Sequence, residues 1–105
     1  MTDHSAKTDG ARGRAVAVVA GILGWTGLIF AVILAAHVLL TIGGANPENG
    51  ITTFVAEWAD RLALAFRDLF DPADAKLRVL VNYGLAALFW LVVRSLVVRL
   101  VRRLG

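Results

Sequence analysis

A chain of 105 residues has room for at most one small domain, yet 58% of it is hydrophobic and its mean hydropathy is +0.71, against an apolar share of about 45–50% in ordinary globular chains. That composition points to a membrane protein, and the absence of cysteine excludes disulfides, thiolate metal sites and cysteine nucleophiles. The net charge of +3 does not indicate nucleic acid, because seven of the eleven basic residues flank two apolar stretches, where topology signals sit.

Residues 1–14, MTDHSAKTDGARGR, have no apolar period and are expected to form a disordered cytoplasmic tail, in which Lys7, Arg12 and Arg14 outweigh Asp3 and Asp9. Residues 15–42 follow with His37 as their only ionisable group. A hydrocarbon core of about 30 Å needs roughly 20 helical residues, so this stretch reads as a first transmembrane helix. A cleaved signal peptide also begins with basic residues, but its apolar region runs to about 7–15 residues, far shorter than this one.

Gly43 and Gly44 end the helix, Pro47 cannot continue it, and Asn49-Gly50 reads as a turn. The connection, residues 43–71, then carries an amphipathic helix over 51–70. At 100° per residue Phe54, Trp58, Leu62, Phe66 and their apolar neighbours share an arc of about 160°, opposite Glu57, Asp60, Arg61, Arg67 and Asp68, with Leu64 the one apolar intruder. Glu57 with Arg61 and Arg67 with Asp71 are spaced for ion pairs at i,i+4. A helix of this kind lies along a membrane surface or against a partner, with Phe54, Trp58, Leu62 and Phe66 as its contacts.

Asp71-Pro72 reads as an N-cap and first helical position, with Asp74 in the first turn and Asp74–Arg78 spaced for an ion pair. Residues 72–105 therefore form the second transmembrane helix, uncharged from Val79 to Val93 and ending in Arg94, Arg99, Arg102 and Arg103. Three basic residues in the tail and four at this end, against Arg61, Arg67, Lys76 and Arg78 between Gly43 and Arg78, predict a multi-pass protein of the cell inner (plasma) membrane with both termini cytoplasmic.

Threading the two spans antiparallel about Leu28 and Leu88 puts His37, Asn82 and Tyr83 near one level beneath the outer headgroups. A neutral histidine bonded to Asn82, pinning helix to helix, is the favoured reading of that cluster; a proton relay or ligand site is the other. The same threading sets Arg94 level with Gly21 and Gly24, from where its side chain can snorkel to the inner headgroups. Arg99, Arg102 and Arg103 read as an anchor to anionic lipid, or as a dock for an acidic partner. Gly21, Gly24 and Gly27 give one span a small-residue notch, and Gly84, Ala86 and Ala87 the other. Trp25 and Trp90 lie too deep for an interfacial belt and either pack together or face a partner. No HExxH, P-loop or G-x-S-x-G occurs, so no enzymatic activity, cofactor or metal is expected.

The succession of span, Asn46-Pro47, apolar Ile51 and Phe54, the helix start Asp71-Pro72 and a second span resembles the YggT/YlmG family of small bacterial membrane proteins over about Leu39 to Val93. Where that family carries a Pro-x-Arg-Arg-type segment, this chain reads LALAFRDLFD. The resemblance implies a non-enzymatic protein associated with cell division or envelope organisation.

Together these features predict an all-α membrane protein, a two-transmembrane helical hairpin with an interfacial helix in its connection. It would serve as an accessory or scaffold whose partners are the lipid bilayer and a homo-oligomer or larger membrane complex. A holin-like pore former has the same layout, but Thr26, His37, Thr41, Asn82, Tyr83 and Ser95 do not make the continuous polar stripe a pore requires.

Overall fold

A computed structural model describes residues 3–104, with side chains from Gly10 onward, so that Met1, Thr2 and Gly105 lie outside the described residues, as do the side chains of Asp3, Lys7 and Asp9. The architecture is all-helical. Helix α1 spans Asp3–Ile42, α2 spans Gly50–Ala63, a 3-10 helix covers Leu64–Asp68, and α3 spans Ala75–Arg103. From Gly10 to Ile42 and from Ala75 to Arg103, α1 and α3 are long and apolar enough to cross a membrane.

The segment expected to be a disordered tail instead continues α1 back to Asp3. Alanine and arginine favour helix there, and Arg12 Nε donates to the carbonyl of Leu104, 2.8 Å away, at the end of α3. The other end of α1 stops as its glycines predict. Gly44 takes φ +71°, the left-handed conformation glycine adopts without a Cβ penalty. The Gly44 N–H then bonds Thr41 O at 3.2 Å and the Ala45 N–H bonds Leu40 O at 2.9 Å, a Schellman closure. Lys76 Nζ, 3.2 Å from Ile42 O, satisfies a further terminal carbonyl.

Helix α2 begins at Gly50 with Asn49 as its N-cap, the Asn49 side chain accepting from the N–H groups of Ile51 and Thr52. The turn expected at Asn49-Gly50 falls instead at Pro47-Glu48, closed by the Asn49 N–H on Asn46 O at 3.1 Å. The single amphipathic helix predicted for 51–70 is broken after Ala63. Leu64 sits at φ 53°, a conformation strained for a bulky residue, and the chain reverses there into the 3-10 helix. Neither predicted ion pair of this helix forms: Arg61 lies over the Trp58 ring, 5.2 Å from its centroid, and Arg67 pairs with Asp68 at 3.7 Å. The start of α3 also differs. Asp74, not Asp71, is the N-cap, accepting from Lys76 N at 2.8 Å and Leu77 N at 3.1 Å, while Asp71 pairs with Arg78 at 3.2 Å. Pro72 thus stays in the loop, and the carboxylate nearest the first free N–H groups takes the cap.

α1 and α3 pack side by side in opposite senses, Arg12 beside Leu104 at one end and His37 beside Tyr83 toward the other, and α2 packs against both, with the 3-10 helix against α3. One apolar cluster joins Leu34 and Val38 of α1, Ala59, Leu62 and Ala63 of α2, and Tyr83 and Ala86 of α3. Leu34 stands eight residues before Ile42, about 12 Å along the axis. The C-terminal end of α2 therefore reaches well below the end of α1 instead of lying across the top. The same packing makes Leu62 a core residue, 8% exposed, and not the surface contact that the helical arc suggested.

Candidate functional site

Breaking a helix next to apolar neighbours leaves backbone carbonyls and amides that need partners. Two side chains of α3 supply them. Asn82, fully buried, donates from Nδ2 to Arg67 O at 3.1 Å and to Phe70 O at 2.8 Å, and its Oδ1 accepts from the Phe70 N–H at 2.9 Å. Donors and acceptor together fix which way the amide points. Trp90 donates from Nε1 to Leu62 O at 2.8 Å, closing one of the free carbonyls at the end of α2. Its ring meets Phe30 of α1 edge-on at 4.9 Å and Phe89 at 5.7 Å, and Phe66 meets Phe89 at 5.3 Å.

The cluster predicted from His37, Asn82 and Tyr83 is therefore divided. His37 and Tyr83 do come together, ring edge to ring face at 4.6 Å, and the Tyr83 hydroxyl donates to an Asp60 carboxylate oxygen. Asn82 belongs instead to the turn of the connection. The His37–Asn82 pin is absent because the carbonyls of residues 67 and 70, brought in by the reversal at Leu64, are closer partners.

Between the end of α1 and α2 lies a cleft of about 350 Å³, lined among others by His37, Thr41, Thr52, Thr53, Glu57 and Asp60. Beside it the outer strip of α2 keeps Phe54 58% and Trp58 39% exposed, so the predicted contact face splits. Phe54 and Trp58 look outward, while Leu62 and the half-buried Phe66 turn in. Among the described residues, no group of three or more His, Asp or Glu side chains could hold a metal ion.

The arginine end is built differently. Arg94 meets Gly24, one of the two glycines predicted level with it, and Gly27 in place of Gly21. Its Nε donates to Gly24 O at 2.7 Å, and a Cβ on Gly27 would lie 2.5 Å from Arg94 Cβ. The small-residue notch of α1 thus receives an arginine stem, so Arg94 is bonded to the neighbouring helix as well as reaching along it. Arg94, Ser95, Val98, Arg99 and Arg102 line a groove of about 230 Å³, and Arg103 closes the helix beyond it. Trp25 is 66% exposed and does not pack on Trp90.

The carbonyls of Leu62, Arg67 and Phe70 are the parts of this arrangement that residue patterns do not announce. Leu64, the apolar residue on the polar side of the helical arc, is the one sequence signal lying at the break. Comparison with protein-family models, with curated proteins and with solved structures finds no match to the chain.

Proposed function

We propose that the protein is a small integral membrane scaffold, with α1 and α3 crossing the bilayer as a helical hairpin and the connection folded back into its outer half. The observation that carries this reading is the exposure of the apolar helices. In their most apolar windows only 22% of α1 and 11% of α3 is buried, whereas the core helix of a water-soluble domain buries most of such a stretch. Side chains such as Val18, Ile22, Trp25, Ile29, Val32, Leu88, Val92 and Leu96 remain open, and hydrocarbon is the solvent that suits them. The 66 Å long axis exceeds a core of about 30 Å, leaving both ends of the helix pair in the headgroup and water layers.

In this reading both termini face the cytoplasm of a bacterial inner membrane, and the strip of Phe54 and Trp58 beside the cleft is the surface offered to a partner. The resemblance to YggT/YlmG proteins suggests envelope organisation or cell division as the setting. What favours a scaffold over a pore former is where the polar side chains point: Asn82 and Trp90 bond the connection, and Thr26 bonds Ile22 O of its own helix at 2.8 Å. None of these bonds leaves a polar path along the spans.

Alkaline carbonate treatment of membranes from an expressing host tests insertion: the chain stays with the pellet, and its release into the supernatant refutes a spanning protein. A reporter fused after Gly105 that is active only outside the cytoplasm stays silent if the orientation holds. Crosslinking in mild detergent with the Phe54/Trp58 strip intact or replaced by serine identifies the partner face, and rapid dye leakage on expression would favour the pore.

A further inference from the structure

We propose that the groove at the arginine end of α3 is a headgroup site for an anionic diacyl phospholipid. At 100° per residue Arg94, Val98, Arg102, Ser95 and Arg99 fall within an arc of about 140°, and they line one groove. Arg103 falls outside that arc and does not line it. The deep end is fixed by α1: Arg94 Nε is held on Gly24 O at 2.7 Å, and a Cβ at Gly24 would come 3.2 Å from Arg94 Nη2 and 3.4 Å from Val98 Cγ2. Gly24 thus allows the guanidinium to rest against the backbone with its remaining N–H groups still available.

The groove is cationic and the described chain brings nothing to neutralise it. Every carboxylate among the described side chains lies between Glu48 and Asp74, at the opposite end of α3, and the two ion pairs among the described residues, Arg67–Asp68 and Arg78–Asp71, are at that end. Cations next to apolar surface require an anion or water. Arg99 and Arg102 present planar forks suited to phosphate oxygens. Ser95 lies about 6 Å deeper than Arg99 along the axis at 1.5 Å per residue, and with Arg94 it offers donors to ester carbonyls beneath a phosphate. Deeper still on the same face, Leu91 is 37% and Leu88 58% exposed, a surface for acyl chains. A free phosphate would use only the shallow half of this arrangement, whereas a phospholipid uses all of it.

The proposal rests on the membrane-spanning reading, and its test separates the two. The full chain is reconstituted in phosphatidylcholine vesicles, and the motionally restricted fraction of spin-labelled phosphatidylglycerol is compared with that of spin-labelled phosphatidylcholine. The wild type prefers the phosphatidylglycerol probe. That preference falls about fivefold for Arg99→Gln or Arg102→Gln and less than roughly twofold for Arg103→Gln, and excess inorganic phosphate leaves it unchanged. Equal losses for Arg103→Gln and Arg99→Gln would mean a diffuse basic field and overturn the site. So would displacement by inorganic phosphate, or a wild type without preference. If carbonate strips the chain from the vesicles, the spanning reading itself is lost, and the headgroup site with it.

Discussion

The two ends of the α1–α3 pair place polar side chains in apolar surroundings, and they differ in who satisfies them. At the connection end, Asn82 and Trp90 of α3 are bonded to backbone atoms of residues 62, 67 and 70, so the chain completes its own hydrogen bonds. At the arginine end two arginine-to-carbonyl bonds, Arg94 to Gly24 O and Arg12 to Leu104 O, tie the helices, and Arg99 and Arg102 have no carboxylate partner among the described residues. Loss of a side chain in the first region leaves buried groups unpaired, which costs folding free energy. Loss of one in the second changes what the surface attracts and leaves the fold standing.

Substituting Asn82→Leu should break that contrast most severely. It keeps the volume but strands the Phe70 N–H and two carbonyls, and equilibrium unfolding in mixed micelles, followed by circular dichroism, should show a loss of about 3–5 kcal/mol. A loss under about 1 kcal/mol would mean that water or lipid replaces the amide. Gly27→Ala places a Cβ 2.5 Å from Arg94 Cβ and should cost about 1–3 kcal/mol by overpacking, locating a point where the arginine end does bear on stability. Trp90→Phe keeps the ring against Phe30 but strands Leu62 O, for an expected loss of about 1–2 kcal/mol. The smallest effect belongs to Arg102→Gln, within about 0.5 kcal/mol of wild type in the same assay. A larger loss there would erase the distinction between the two ends.

Much of this was legible in local spacing. Paired glycines ended α1 at the predicted place, the amphipathic period from Ile51 marked α2 to within a residue of its start, and the uncharged run followed by arginines marked the last helix. The candidate cluster was legible in part: His37 and Tyr83 meet, yet Asn82, the most deeply buried of the three, binds atoms that are twelve and fifteen residues away in sequence. The periodicity of 51–70 described a helix correctly as far as Ala63 and could not register the reversal at Leu64, because the arc of apolar residues continues through it.

The sequence by itself determined the two apolar helices, the glycine stop of α1 at Gly43-Gly44 and the concentration of arginine at one end, since each depends on the chemistry of residues within a turn or two of one another. The tertiary structure decided that the connection folds back between the helices, that Asn82 and Trp90 serve its broken backbone, and that Arg94 seats against Gly24 and Gly27, with Gly27 taking the place expected for Gly21. Those pairings depend on register between helices. A shift of one turn exchanges every partner while leaving each helix's own pattern unchanged, so only the packed arrangement selects among them.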